Sequence, residues 1–221
     1  MVQGLSSRGP LHTAQGLAGD ILPLHGVALW PSSPSLEGTD MSDPHAYLVA
    51  EARNQTEFFS ASEVPTAVVK ATDYPVSDLP ALFDSAFSAL FPALGERGVQ
   101  PVGPAFALYQ RMPDDTVDLE VGVPVEQPLA ETIELEEGRS VEPSAIPGGR
   151  LAAVSHHGSY DALSEAWTDF MTDVSTSGSK PQLPFWEVYV TEPKPDMDPA
   201  DLRTDLYVIV DSATNSDTDA G

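Results

Sequence analysis

One order of secondary-structure elements occurs twice along this chain, and that repeat limits the fold more than any other feature. Each copy predicts a strand, an amphipathic helix and two further strands. The predicted strands are 65–71, 105–109 and 117–125 in the first copy, and 150–156, 185–190 and 204–210 in the second. In each helix, apolar residues recur at the three- and four-residue spacing of one buried face. They are Leu79, Leu82, Phe83, Ala86, Phe87 and Leu90 in the first helix, and Leu163, Ala166, Trp167, Phe170, Met171 and Val174 in the second.

The two helices follow the same pattern residue by residue. Each apolar position of the second helix lies 84 residues after its counterpart in the first. We therefore predict two pseudo-symmetric β-α-β-β modules, about 57–125 and 150–210, joined by a linker at 126–149. Strands and helices with one apolar side bury those sides against each other in layers. The predicted fold class is α+β, an antiparallel sheet with both helices on one face and a ligand groove on the other.

Both ends of the chain differ from this repeat. In residues 1–40, Gly, Pro, Ser and His interrupt every apolar cluster, so we predict a flexible N-terminal extension. A more ordinary sequence begins at Met41, and a translation start there is the alternative. The domain is predicted to span 41–210, and the small, polar and acidic residues of 211–221 are predicted to be disordered.

The charge balance of the chain excludes several kinds of partner. Ten Lys and Arg residues stand against 34 Asp and Glu residues, a formal net charge of −24. Such a surface repels nucleic-acid phosphates and anionic membranes, and residues 1–56 show no helix-turn-helix spacing and no basic cluster. We expect no direct binding of nucleic acid or membrane. The charge is also explained as a means of keeping the protein soluble.

Other classes of site are excluded by what the chain lacks. It has no cysteine, which rules out disulfides, thiolate metal sites and cysteine nucleophiles. No apolar run approaches the roughly 18 to 20 residues of a membrane span, so we expect a cytoplasmic protein. His156 and His157 are adjacent and would point to opposite faces of a strand, which argues against a metal site. We expect neither a metal nor a cofactor, and a monomer or homodimer.

The strand FWEVYV, residues 185–190, carries one carboxylate among aromatic and β-branched residues. Alternate side chains of a strand share a face, so Phe185, Glu187 and Tyr189 lie together. We predict that Trp186, Val188 and Val190 pack on the helices. In the third strand of each module, the alternating sets that contain Leu119 and Leu206 are predicted to face the helices as well. Glu187 would then lie on the opposite side of the sheet, which we call the helix-free face. The position that matches Glu187 in the first module is Ala107.

The helix-free face is predicted to hold the ligand groove. The predicted ligand-binding residues are Glu187, Tyr189, Tyr109, Tyr207, Phe185 and Glu120. Aromatic faces and a sheltered carboxylate attract flat cations, and the small residues Ala105, Ala107 and Gly122 would leave room for them. For Glu120 alone, a position facing water is the favoured interpretation, because lone acids on strands usually contact solvent.

Three segments in order resemble the GyrI-like family. They are PGGRLAAVSHHGSYDALSEAWTDF, PFWEVYVTEP and RTDLYVIV, and the resemblance extends over about residues 57–210. This family includes the effector-binding domains of multidrug-responsive transcription activators. The resemblance implies two strand-helix-strand-strand modules with a ligand groove between them. It also implies that Glu187, in the W-E-x-Y strand, contacts cationic aromatic ligands, with Tyr189 beside it.

Three functions remain open on the sequence. The first is a stand-alone domain that binds a small aromatic or cationic molecule, as in drug or effector binding. The second follows from a branch of the family that resembles hydrolases of cyclopropane-bearing natural products, for which Glu187 and Tyr109 would be the catalytic residues. The third is an acidic protein-interaction inhibitor. We favour binding, because these residue types alone do not indicate an enzyme.

Overall fold

The computed structural model describes residues 51–194 and 196–211, except for the side chain of Glu137. The predictions of an N-terminal extension at 1–40, of a start at Met41 and of a disordered tail concern residues outside these ranges, apart from residue 211. They stay predictions.

Nine strands and two long helices make up the described part of the chain. The strands are β1 Glu57–Ala61, β2 Val64–Pro75, β3 Phe106–Tyr109, β4 Thr116–Pro124, β5 Ile133–Glu134, β6 Ser140–Ile146, β7 Gly149–His157, β8 Pro181–Tyr189 and β9 Arg203–Val210. The helices are α1 Leu79–Glu96 and α2 Leu163–Thr176. All neighbouring strands are antiparallel, in the order β1-β7-β9-β8-β3-β4-β2-β6-β5.

The inner six strands show the predicted two modules. One module is β2-α1-β3-β4 and the other is β7-α2-β8-β9, and each places its third strand between its first and second. The second strands of the two modules, β3 and β8, pair at the centre of the sheet, with Ala107 opposite Glu187. Both helices contribute to one apolar core on the same face of the sheet, which we call the helix face. The predicted α+β class, with an antiparallel sheet and both helices on one face, is confirmed.

A second apolar core covers the helix-free face. It contains Phe106, Leu108, Trp186, Val188 and Tyr207 from the central strands. Val64, Ile146 and Leu151 join it from strands nearer the two edges of the sheet. The central strands are therefore buried on both faces, and each fully buried Leu or Val adds roughly 1.5 to 3 kcal/mol of hydrophobic stabilisation.

The segment 126–149, predicted as a linker, contains secondary structure of its own. It holds β5 and β6, and β6 pairs with β2 from Val64↔Ile146 to Val68↔Glu142. It therefore extends the sheet past the first module, as β1 does past the second by pairing with β7. Within the described residues, no helix is long and apolar enough to cross a membrane.

Candidate ligand site between the helices and the sheet

Glu187 lies in the middle of β8 and points toward the helices, not away from them. Its carboxylate is almost completely buried, with the residue 5% exposed. The indole Nε1 of Trp167 on α2 donates a hydrogen bond of 2.7 Å to Oε1. The hydroxyl of Tyr189, two residues further along β8, donates one of 2.9 Å to Oε2. Both carboxylate oxygens are thus held by uncharged donors.

Burial is the main electrostatic effect at Glu187. It raises the pKa of the carboxyl, while hydrogen bonds from Trp167, Tyr189 and, more weakly, Tyr109 oppose that rise by favouring the ionised form. Burial and the nearby carboxylate also raise the pKa of the Tyr109 and Tyr189 hydroxyls and bring the pKa of Tyr160 to about 12. The three tyrosines therefore stay protonated at neutral pH, and Tyr189 and Tyr109 remain hydrogen-bond donors to the carboxylate.

Aromatic rings flank the carboxylate on both sides along the strand. On one side Tyr109 stacks on Phe185 with centroids 4.9 Å apart, and Trp167 meets Phe185 edge-on at 4.9 Å. On the other side Tyr189 receives the edges of Phe83 and Tyr160 at 5.9 and 6.0 Å. Glu187 and its six aromatic neighbours, which we call the Glu187 cluster, are Phe83, Tyr109, Tyr160, Trp167, Phe185, Glu187 and Tyr189.

The structure divides the six predicted site residues between the two faces. Tyr109, Phe185, Glu187 and Tyr189 lie together, as predicted, but on the helix face. The prediction that these four residues lie on the helix-free face is therefore wrong. Tyr207 and Glu120 do lie on the helix-free face, and so they cannot share a groove with Glu187.

The error has a physical cause in the central strands. Alternation identifies the core side of a strand only when the other side is polar. In β3 and β8 both alternating sets are buried, one in each core. Trp186 and Val188 were the more apolar set, but they pack in the second core with Phe106 and Leu108. The assignment was correct for β4 and β9, where Leu119 and Leu206 face the helices.

Tyr207 and Glu120 each have structural partners on the helix-free face. Tyr207 stacks on Trp186 at 5.5 Å and accepts a 3.0 Å hydrogen bond from Arg53. Glu120 is 8% exposed and not solvated as favoured from the sequence. It accepts a hydrogen bond of 2.6 Å from Ser144 and lies 3.9 Å from the ammonium group of Lys70. These contacts give both residues a role in holding strands together.

Three members of the Glu187 cluster were not predicted as site residues. Phe83 and Trp167 were assigned only to the buried stripes of α1 and α2, and Tyr160, which precedes α2, was not considered. A buried tryptophan usually has a hydrogen-bond partner for its N–H. That rule was the available signal that Trp167 required an acceptor nearby, and Glu187 is the acceptor.

An open cleft of about 470 Å³ lies elsewhere on the molecule. It is lined by residues 97–100 after α1 and by residues of the 126–133 segment. Arg97 and Glu131 form an exposed ion pair of 3.0 Å among them. None of the predicted site residues borders this cleft, so it contributes nothing to the site at Glu187.

The fold and the Glu187 cluster can be compared with known proteins. The sequence matches the GyrI-like small molecule binding domain over residues 66–211, which is more than half of the chain. The chain belongs to the GyrI-like family. The matched part of this GyrI-like domain contains every residue of the Glu187 cluster. No curated protein matches the chain.

Solved structures share the GyrI-like fold at low sequence identity. The C-terminal domain of EcmrR has a TM-score of 0.59 and 18% identity, with 72% of this chain and 98% of that domain covered. A conserved protein from Listeria innocua has a TM-score of 0.55 and 14% identity, over 75% of this chain and 96% of its own. SAV2435, solved with bound tetraphenylphosphonium, has a TM-score of 0.52 and 8% identity, over 72% and 94%.

Proposed function

We propose that this GyrI-like domain binds a small aromatic cation, a drug or effector, between the helices and the sheet, with Glu187 as its counter-ion. One observation carries the proposal. Among the described residues, Glu187 is a buried carboxylate whose hydrogen bonds come from uncharged side chains, Trp167 and Tyr189, with no Lys or Arg in an ion pair with it.

A buried carboxylate without a cation is unfavourable for folding. Removing an ionised carboxylate from water costs several kcal/mol unless it is paired, and neutral donors recover only part of that cost. A cationic ligand supplies the missing charge where the field of the carboxylate is least screened. The neighbouring rings Tyr109 and Phe185 supply flat faces, and a cation over an aromatic ring gains about 0.5 to 2 kcal/mol.

A related structure supports the same class of ligand. SAV2435 was solved with tetraphenylphosphonium, which is a single positive charge surrounded by aromatic rings. That chemistry fits a carboxylate flanked by aromatic side chains, as Glu187 is here. Tetraphenylphosphonium is therefore the first probe to use on this protein.

Calorimetric titration of tetraphenylphosphonium into the full chain tests the proposal. Wild-type protein should bind, and Glu187→Gln should bind about 10- to 100-fold more weakly, which corresponds to about 1.4 to 2.7 kcal/mol for the loss of one contact to a buried charge. Glu120→Gln is the matched control, since it removes a buried carboxylate charge on the helix-free face. Its affinity should equal that of the wild type. Equal affinities for all three proteins would exclude Glu187 as the counter-ion.

Hydrolysis of a reactive xenobiotic, such as a cyclopropane-bearing natural product, is a second candidate function. The observation in its favour is that burial raises the pKa of Glu187, so the carboxyl keeps its proton to higher pH and can donate it to a developing oxyanion. The protonated Tyr109 hydroxyl is a further donor. Mass spectrometry of an incubated cyclopropane electrophile should then show a product heavier by one water, absent with Glu187→Gln. Unchanged substrate with wild-type protein would eliminate this candidate.

The cytoplasmic location, the oligomeric state, a role as an acidic inhibitor of another protein and the expectation of no nucleic-acid binding stay predictions from composition.

A further inference from the structure

The carboxylate of Glu187 is enclosed by the side chains that bind it. Glu187 is 5% exposed, Tyr109 is 3% exposed and Tyr189 is 2% exposed. A cation that contacts either carboxylate oxygen must therefore take the place of a side chain that now lies there. The short hydrogen bonds identify two donors, Trp167 and Tyr189, as the groups that it could replace.

Tyr189 is firmly held in the sheet. It belongs to β8, which pairs with β3 on one side and β9 on the other. Its ring makes T-shaped contacts with both Phe83 and Tyr160. Moving it would disturb the centre of the sheet and both neighbouring rings.

Trp167 is held less firmly. It is only half-buried, and it lies on α2 instead of on the sheet. The buried residues of α2 are Leu163, Phe170 and Val174, whereas α1 buries eight residues. Segments with fewer buried apolar contacts open at lower free energy. Trp167 can therefore leave the carboxylate at a smaller cost than Tyr189 can.

The two modules differ at this position in a way that points to function. The counterpart of Trp167 in α1 is Phe83, which is completely buried and has no polar atom. Phe83 contacts Tyr189 as a packed core residue. At the matching position of α2 the ring is partly exposed and carries the N–H that occupies Oε1 of Glu187.

We propose that Trp167 is a specificity-determining gate: a cationic ligand displaces its indole from Oε1 of Glu187, and molecules that bring no positive charge to the carboxylate are excluded. This inference rests on the proposed function. A positive charge beside a buried carboxylate interacts with it more strongly than a neutral dipole does, so a cation gains from the exchange with the neutral indole. A neutral aromatic molecule would leave one buried carboxylate oxygen with neither a donor nor a counter-charge.

Binding to the Trp167→Phe variant gives the first test. Phenylalanine keeps an aromatic ring on α2 but has no N–H, so the ligand no longer competes with it for Oε1. Tetraphenylphosphonium should bind about three- to tenfold more tightly than to wild-type protein, which corresponds to the net contribution of one neutral hydrogen bond. Neutral triphenylphosphine oxide would have to displace the same indole without supplying a charge, so it should bind measurably to Trp167→Phe and not to wild-type protein. In a Glu187→Gln background the gain for the cation should disappear.

Fluorine NMR of full-length protein labelled with 5-fluorotryptophan gives the second test. The Trp167 resonance is assigned by its loss in Trp167→Phe, or in Trp167→Tyr if that variant folds better. On addition of tetraphenylphosphonium, it should move, and its response to exchange of H2O for D2O should increase as the indole N–H side reaches solvent. Trp186 is the internal control, because it is completely buried on the helix-free face and stacked on Tyr207. Its resonance should keep its position and its insensitivity to solvent.

The outcomes separate the gate from the site itself. If Trp167→Phe binds the cation no more tightly than wild-type protein does, or the solvent response of the Trp167 resonance does not increase when the cation binds, the gate is overturned while binding at Glu187 stands. If tetraphenylphosphonium binds neither wild-type protein nor Trp167→Phe, the proposed function fails, and the gate fails with it.

Discussion

Ala107 and Glu187 face each other across the central pair of strands, on the helix face of the sheet. They occupy matching positions of the two modules, so the local two-fold axis of the sheet passes between them. Tyr109 and Tyr189, each two residues further along its strand, also match. A symmetric scaffold thus carries a single carboxylate at its axis. Ala107, the matching residue opposite it, has a methyl group where Glu187 has a carboxylate.

The stability of the protein should depend on pH through Glu187. Burial raises the pKa of this carboxyl in the folded state, so its favourable contribution is complete below the unfolded pKa, about 4.3. That contribution is lost as the pH rises through the folded pKa. Glu187→Gln has no such group. Urea unfolding from pH 4 upward should show wild-type stability falling relative to Glu187→Gln as the pH rises, and a constant difference would contradict the raised pKa.

A buried ion cluster on the helix-free face should be far more important for stability than an exposed ion pair. Asp205 is 1% exposed, accepts hydrogen bonds of 2.8 Å from two nitrogens of Arg203, and lies 3.7 Å from the guanidinium group of Arg53. Asp205→Asn should lower the free energy of unfolding by about 3 to 5 kcal/mol, because two buried cations lose their carboxylate.

Glu131→Gln is the control for Asp205→Asn, because it also replaces a carboxylate with an amide of the same size. Glu131 pairs with Arg97 at 3.0 Å, but its side chain is mostly exposed. Exposed pairs contribute little, and urea unfolding of this variant should be indistinguishable from that of the wild type. Similar losses for Asp205→Asn and Glu131→Gln would show that the buried cluster is not a special contributor.

Gly122 should tolerate no side chain. From the sequence it was a small residue that left room for a ligand, but it lies on β4 where a Cβ atom would meet the carbonyl oxygen of Ala67 and the side chain of Val68. Gly122→Ala should therefore destabilise the protein by about 1 to 3 kcal/mol or more through backbone shifts. Thermal unfolding would measure the loss.

Gly95 provides the opposite case in the same module. It lies within α1, and a Cβ atom there would meet nothing within 4 Å. Gly95→Ala should stabilise the helix by roughly 0.5 to 1 kcal/mol, since alanine loses less conformational freedom than glycine. If Gly122→Ala raises the melting temperature as Gly95→Ala does, the close approach of β2 and β4 does not make a side chain at position 122 destabilising.

The modules could be predicted from the sequence because each helix has one apolar face and β4 and β9 alternate clearly. Leu119 and Leu206 were assigned to the helix face on that basis, and the structure agrees. The predicted order of strand, helix, strand and strand occurs in both modules of the structure. Local patterns were sufficient wherever one side of an element is polar.

The location of the site could not be predicted in the same way. In β8 both alternating sets are buried, so Glu187 could be assigned to either face from local sequence alone. Its side follows from the register of β8 with β3 and β9, which pairs Glu187 with Ala107 and Leu206 on the helix face. The same applies to β6, whose pairing with β2 depends on a return of the chain that no local pattern in 126–149 indicates.

The position of a bound cation is the most direct test that the site lies between the helices and the sheet. Intermolecular nuclear Overhauser effects would be measured between the aryl protons of tetraphenylphosphonium and methyl groups of the protein. We predict contacts to the methyl group of Ala107, opposite Glu187 on the helix face. We predict none to Val188 or Leu108, which lie on the helix-free face of the same two strands. Contacts to Val188 and Leu108 without contacts to Ala107 would contradict the account.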